Sequence, residues 1–554
     1  MAATPSPPSE AALARFLAEA SGARAVEISG LELLAGGAIQ QNWGLEAEFA
    51  GGSLAGRHRL VLRTDADTGI PSSLGRIEEF AVLQAVRAAG VTVPEPVFAG
   101  ADPAVIGKPF FVMRRLPGTA QGRVITADPS LEPHLPQIAA RLGEELACLQ
   151  TIRPPRGDLA FLPSPEESAP ETQIAGFRAY LDRHPQKRPV IEWAIRWLET
   201  HIPAPLPQVL CHRDFRTGNY LLDGPMLSGI LDWEFAGWGD PDEDIGWFCC
   251  KGWRFTRLDR EAGGIADRAT FYAGYEAASG RRLDPERVRY WEVFANVRWA
   301  IIALQQSDRY LIGGARDLST AIIGRRATEC DLELLLLLNP EDAPQTKTPS
   351  PPLGERAGVR GHSTEPLAMP SPGSPSRLAT LNRNAGERLL RDRPSGLDLL
   401  ELGRELLIEE LLPLVPESRH REAHLIATAI AIARREALAG EEPIDEIARR
   451  LGVFYTDEET QTVIPAKAGT HSSAVRAPAG MDPGLRRDPG GEMAQQPDRL
   501  DPETLLRRFA ADLRNGAFET SEPRQNAARA ILWALTVAKL REGNPQFLAA
   551  NGIA

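Results

Sequence analysis

Cysteine is scarce in this chain: there are five in 554 residues, Cys148, Cys211, Cys249, Cys250 and Cys330. The number is odd, and no Cys-x-x-Cys or Cys/His group has metal-ligand spacing. A disulfide scaffold and a zinc ribbon are therefore excluded, and free thiols in a reducing, cytoplasmic setting are expected. Long apolar runs are also missing. Runs such as Leu334 to Leu338 are far short of the roughly 20 residues that cross a bilayer, so no membrane partner is expected. Met1 to Gly22 has no basic stretch followed by an apolar one, so no signal peptide is expected. Nor is there a basic excess. Lys and Arg number 62 against 74 Asp and Glu, a net charge of −12, which argues against nucleic acid as the main partner.

What remains is ordinary for globular protein: 43% hydrophobic and 25% charged residues. The length exceeds one hydrophobic core and predicts two or three domains. Residues 10–21 read as an amphipathic helix in an N-terminal extension, 1–24. Strands are expected at Leu31–Ala35, Gly44–Ala50, Arg59–Arg63 and Phe110–Arg114, with a helix over 74–88 and an extended stretch over 91–97. From about Leu135 helices dominate: 135–152, 171–183, 187–200, 266–279, 285–305 and 315–338. Short strands and loops occupy 208–234, where polar residues concentrate. The pattern is α+β, with a small β-rich part preceding a mostly helical one.

Residues 340–392 hold nine prolines, from Pro340 to Pro375, among Ser, Gly and Arg. With little apolar area to bury, they read as a disordered linker. Helical periodicity resumes over 397–412, 422–438, 502–515 and 523–541, giving an all-α region at 393–550. A second Pro/Gly/Arg-rich stretch, 462–498, reads as a disordered insert. Both stretches resemble translated bacterial repetitive DNA, which linkers and loop tips tolerate.

The chemistry concentrates in one loop and one strand end. Cys211-His-Arg-Asp214-Phe-Arg-Thr-Gly-Asn219 places a carboxylate and an amide five residues apart, with Gly218 to let the loop bend. After a turn at Asp223-Gly224, the apolar Gly229-Ile-Leu-Asp232 delivers a second carboxylate at its end. Phosphoryl transfer needs such parts: a carboxylate for the nucleophile's proton, oxygen ligands for Mg²⁺, and a cation near the phosphates. Asp214 and Asn219 alone would also suit caps in a loop of a non-enzyme. Asp232 so close behind makes chemistry the stronger reading.

Here the sequence resembles the aminoglycoside phosphotransferase/choline kinase family, over about residues 25–335. The resemblance implies a bilobal protein-kinase-like fold, with an N-lobe at 25–118 and a C-lobe at 119–339. It implies ATP and Mg²⁺ as cofactors, Asp214 as catalytic base, and Asn219 and Asp232 as metal ligands. His212 would brace the loop. Gly239-Asp240-Pro241 and Asp244 match the family's buttressing segment. Gly36 and Gly37 sit where the phosphate-covering loop belongs, although a Gly-Gly turn is as often a plain hairpin. The family's phosphate-binding lysine falls on Arg63, which keeps the charge but exchanges a point charge for a planar fork. Its helix partner would be Glu79, with Glu78 as the alternative. The adenine-facing hinge would run from Met113 through Arg114 and Arg115.

Several neighbours read as structural. Glu234 is expected to hold a loop rather than a metal. Asp242 and Glu243 read as a solvated acidic turn, although a cationic substrate could meet them. Trp238, Trp247 and Trp253 read as core or cleft wall, and Cys249-Cys250 as buried packing. His420 and His424 have metal-pair spacing without a third ligand. Asp214-Phe-Arg-Thr-Gly-Asn and Leu231 to Pro241 resemble the subgroup associated with acyl-CoA dehydrogenases. That implies a small-molecule hydroxyl substrate such as a hydroxyacyl-CoA, and an acyl-CoA dehydrogenase as partner. An aminoglycoside kinase and a pseudokinase-like scaffold are the alternatives. The tail resembles a small bacterial domain of unknown function, on Arg393 to Leu400 and Lys539 to Leu548.

Overall fold

A computed structural model describes residues 7–34, 40–66, 73–163, 166, 169–255, 257–313, 318–339, 396–416, 419–459 and 501–553. The expected Gly36-Gly37 turn, the 340–392 linker and the 462–498 insert lie outside the described residues.

Side-chain alternation builds the first lobe. Five strands, Val26–Leu33 (β1), Gln40–Phe49 (β2), Gly56–Asp65 (β3), Pro96–Gly100 (β4) and Phe110–Arg114 (β5), form an antiparallel sheet in the order β1-β2-β3-β5-β4. On β2, Trp43, Leu45, Ala47 and Phe49 share one face with Leu60 and Leu62 of β3 and with Phe110 and Val112 of β5. They pack against Leu13 and Leu17 of Glu10–Ser21 (α1). The residues between them, including Arg63 and Phe111, point the other way, toward Arg76–Ala88 (α2). The strand expected from Leu31 begins earlier, at Val26. Gly30, at φ 65°, sits in a register shift between Ser29 and Glu32 and interrupts the alternation.

The second lobe is mostly helical. After Pro103–Ile106 (α3) and Gly122–Ala127 (α4) come Leu135–Leu149 (α5), Pro170–Arg183 (α6), Pro189–Thr200 (α7), Glu243–Cys249 (α8), Arg268–Ser279 (α9), Pro285–Leu311 (α10), Leu318–Gly324 (α11) and Ala327–Leu338 (α12). Two small ribbons carry the loop chemistry. Val209–Cys211 (β6) pairs with Gly237–Gly239 (β9), and Tyr220–Asp223 (β7) with Met226–Ile230 (β8). Helix α8 ends at Cys249, and both Cys249 and Cys250 are buried, in keeping with the helix packing expected there. The single helix expected over 315–338 is two. Gly324 ends α11 where a Cβ would meet the Ser307 backbone at 2.8 Å, so the chain breaks and restarts.

The C-terminal region is helical: Gly396–Glu405 (α13), His420–Ala439 (α14), Glu442–Glu459 (α15), Pro502–Arg514 (α16), Glu522–Gly543 (α17) and Pro545–Ala550 (α18). Its core is continuous with that of the second lobe. Ile195 and Leu198 of α7, Phe294 of α10 and Leu335 of α12 belong to one buried cluster with Leu451, Phe509 and Leu532. Arg196–Glu519 and Arg514–Asp182 bridge the same junction at the surface. Exposed pairs of this kind contribute little, so apolar burial holds the junction. No described helix is long and apolar enough to cross a membrane.

Candidate active site

The loop between β6 and β7 is bent by two demands on its backbone. Arg213 is forced to φ 63° and Gly218 to φ 107°. The first is a left-handed conformation that costs a non-glycine residue about 1 kcal/mol or more. The neighbours offset it. The Asp244 carboxylate accepts the N–H of His212 and of Arg213, each at 2.7 Å, and the Arg213 guanidinium donates to Trp238 O at 2.6 Å. A Cβ on Gly237 would lie 2.9 Å from that guanidinium, so the facing strand needs glycine there. Buried Thr217 anchors the far end of the loop by donating to Gly263 O at 2.7 Å.

His212 is fully buried against Trp233, with ring centroids 4.4 Å apart. Its Nε2 lies 2.8 Å from Leu231 O, while the Asp214 N–H donates to its Nδ1 at 3.2 Å. One neutral tautomer satisfies both contacts, protonated on Nε2. Burial pushes its pKa below the usual histidine value, in keeping with that neutral form. The imidazole thereby links the loop bearing Asp214 to the strand end bearing Asp232.

Asp214 is surrounded by donors. Asn219 Nδ2 donates to its Oδ2 at 2.6 Å, and Arg216 Nε and Trp247 Nε1 each donate to its Oδ1 at 3.0 Å. Asn219 also donates to Asp214 O at 3.0 Å. With its NH₂ group turned to Asp214, the amide has its oxygen left as an acceptor for a cation. Arg216 is the member that sequence reasoning missed, and Trp247, read as core or cleft wall, was not tied to Asp214. Arg216 stands two residues from Asp214 in the same loop and could have been singled out. Trp247 is 33 residues away, and nothing local marks it.

Asp232, at φ 62°, has a partly exposed side chain, 38%. Its Oδ1 accepts from Arg63 Nη1 at 2.9 Å. Arg63 is buried on the α2-facing side of β3 and also meets Glu79 at 3.1 Å and Asn42 at 3.3 Å. Burial opposes its charge, but Glu79, Asp232 and Glu234 outweigh that and hold its pKa above the usual arginine value. Glu79 is itself raised by burial, against the pull of Arg63 and Arg76. Glu78 stays outside this group, accepting from Gly75 N at 2.8 Å at the start of α2. Glu234 is buried and accepts from Gln40 at 2.8 Å and Ser73 at 2.6 Å. It ties the strand end to the N-lobe.

The donor set here suits a hard divalent cation. The Asp232 carboxylate and the Asn219 amide offer oxygen donors, and Asp232, Glu234 and Glu79 leave this side rich in negative charge. No cluster of three or more His, Cys, Asp or Glu suited to a metal occurs among the described residues, and His420 instead contacts Val415 O.

The remaining expected residues fall around this centre. Gly36 and Gly37 lie outside the described residues. On β5, Met113 pairs with Val61 in the sheet. The N–H of Arg114 donates to Glu95 O, and that of Arg115 to Arg59 O. The hinge backbone donors at 114 and 115 are thus used within the lobe. Asp240 is bound by Arg287, and burial pushes its carboxyl up to about 6. Burial and the adjacent Glu243 push Asp244 up to about 7, against its two backbone donors.

The expectation of a solvated acidic turn at Asp242 and Glu243 is overturned. Asp242 is fully buried between Arg281 and Arg287, and Glu243 is buried beside Arg213 and Arg298. Their charges are consumed inside the protein. Cys249 and Cys250 are buried free thiols, each pushed up to about 12 by burial.

A β-rich lobe before a helical lobe, with His212 joining the Asp214 loop to the strand end that bears Asp232, is a kinase-like fold. Residues 30–291 match the model of the phosphotransferase enzyme family. The chain is 26% identical over 402 residues to mouse (Mus musculus) acyl-CoA dehydrogenase family member 10, covering 67% of this chain and 36% of that protein. It is 26% identical over 300 residues to IBR3 of Arabidopsis thaliana, assigned as an acyl-CoA dehydrogenase, covering 48% and 35%. The chain thus spans about a third of the length of these relatives. Among solved structures, it is similar to a Ralstonia eutropha protein assigned as an aminoglycoside phosphotransferase. That match has 21% identity and a TM-score of 0.46, covering 58% of this chain and 95% of the other.

Proposed function

We propose that the chain is an ATP- and Mg²⁺-dependent kinase that moves the γ-phosphoryl group to a hydroxyl of a small molecule. The observation that carries this reading is the Asp214–Asn219 contact, 2.6 Å, in a loop that His212 joins to the Asp232 strand end. Asp214 takes the hydroxyl proton as the acceptor oxygen bonds to the γ-phosphorus. The bond to the bridging oxygen breaks, and ADP leaves with the electron pair. Asn219 and Asp232 would hold Mg²⁺, which neutralises phosphate charge. Arg63 sets the position of Asp232, and Met113 to Arg115 border the adenine.

Asp214→Asn should lower transfer by about 10²–10⁴-fold, while nucleotide affinity stays within a few-fold. Release of ADP and calorimetry with ATP and Mg²⁺ read the two quantities. Equal turnover by the variant would remove Asp214 from the role of base.

The similarity to proteins named as acyl-CoA dehydrogenases favours a hydroxyacyl-CoA acceptor, with an acyl-CoA dehydrogenase acting on the product or as a partner. An aminoglycoside acceptor is less favoured, because Asp242 and Glu243 are buried and paired. The scaffold reading would require a missing carboxylate or amide, and Asp214, Asn219 and Asp232 are all in place. Such a kinase would work in the cytoplasm.

A further inference from the structure

Asp214 has two different sides. Its Oδ2 faces Asn219, toward the carboxylate-rich group of Asp232, Glu234 and Glu79. Its Oδ1 faces Arg216 and Trp247. The second side is cationic. Arg213 and Arg298 share one carboxylate, Glu243, each at 3.5 Å. Arg298 lies over Trp247, 4.9 Å from the ring centroid, and burial pushes its pKa below the usual arginine value. Arg216 adds a third guanidinium, and among the described residues its one ion-pair partner is Asp214.

Arg216 is also held in place. Its guanidinium lies 4.7 Å above the Trp253 ring, a geometry worth about 0.5–2 kcal/mol. Nε is used by Asp214 and Nη1 by Thr217 O at 3.3 Å. Nη2 has no hydrogen-bond partner among the described residues, and the side chain is 25% exposed. Phe255, at φ 47°, lies against Gly122, where a Cβ would meet its ring at 2.3 Å, and borders Gly218. The result is an aromatic wall carrying one pre-positioned, half-satisfied fork beside the carboxylate that meets the acceptor.

We propose that Arg216 is the acceptor-recognition residue, and that the acceptor is a hydroxylated molecule with its own anionic group, a phosphate or carboxylate. This rests on the kinase reading and narrows it. A cationic acceptor would meet Arg216 at the cost of like-charge repulsion, whereas an anionic oxygen completes its fork with a charge-assisted hydrogen bond. The transferred phosphoryl group is the other anion that could reach Nη2. The two sources separate kinetically, because one acts through acceptor binding and the other through the chemical step.

The test uses the full chain with ATP and Mg²⁺ and matched acceptors. Glycerol 3-phosphate is set against glycerol, 3-hydroxybutyrate against 1,3-butanediol, and 3-hydroxybutyryl-CoA against its N-acetylcysteamine thioester, with kanamycin as a cationic control. At least one anionic member should exceed its neutral partner in kcat/KM by about tenfold or more. Arg216→Gln should erase that preference mainly by raising the acceptor's KM, leaving the KM for ATP within about twofold. Arg216→Lys should restore part of it. A neutral or cationic preference in the native protein overturns the proposal. So does a variant that loses kcat alike with every acceptor at unchanged KM, which would assign Arg216 to the transferred phosphoryl group. Calorimetry with ATP and Mg²⁺ is run beside the panel: absence of nucleotide binding would sink the kinase reading itself, separately from the acceptor class.

Discussion

Arg63 Nη1 lies 2.9 Å from Asp232 Oδ1, so a strand of the N-lobe holds a carboxylate of the C-lobe directly. The same guanidinium reaches Glu79 on α2 and Asn42 on β2. It thus sets the distance between sheet, helix and strand end with one rigid group. A lysine ammonium at this position could satisfy fewer of these partners, since its donors radiate from one atom.

Replacing Arg63 by methionine should be costly. Glu79 and Glu234 would remain buried with less compensation, and removing one partner of a buried pair costs about 3–5 kcal/mol. Arg63→Lys should cost less. Urea denaturation of both variants gives the ranking, and equal stabilities would show that the fork geometry contributes nothing.

Asp244 predicts a pH dependence with a definite sign. Burial raises its folded pKa from 3.8 to about 7, so the folded chain binds this proton more tightly than the unfolded chain. Its contribution is full below the unfolded value and is lost as pH rises toward about 7. Between about pH 5 and 7, the native protein should lose stability relative to Asp244→Asn. Denaturation midpoints across that range report the difference. A constant offset between the two proteins would contradict the shifted carboxyl.

Two helical glycines should respond oppositely to alanine. A Cβ on Gly274 of α9 would lie 2.1 Å from Ala140 O of α5. Overpacking of about 1–3 kcal/mol outweighs the gain in helix propensity, about 1 kcal/mol. Gly176 in α6 has nothing within 4 Å of a Cβ, so Gly176→Ala should stabilise by roughly 0.5–1 kcal/mol. Thermal unfolding of the pair distinguishes close helix contact from simple propensity.

Phe509 tests the junction with the C-terminal helices. It is fully buried in the cluster that α7, α10 and α12 share with α16 and α17. Phe509→Ala should cost about 3–5 kcal/mol, and the loss should register in the kinase-like lobe as well. Limited proteolysis of the variant reads this out. New cleavage confined to the C-terminal helices would mean that the shared core does not couple them.

Local order in the chain was enough for several features. Alternating residues made β2, β3 and β5 strands, and the apolar period of 74–88 made α2. Asp214 and Asn219 share one short loop, so their approach follows from covalent spacing and from Gly218. Asp232 follows at the end of an apolar ribbon strand. Tertiary structure decided the rest, because those relationships span distances that no local pattern encodes. Only packing brings Trp247 onto Asp214, selects Glu79 over Glu78 for Arg63, and buries Asp242 between two arginines. Only packing joins the core of the tail to α7 and α10. An apolar face or a charge specifies what must be covered or neutralised, and the folded arrangement chooses the partner that does it.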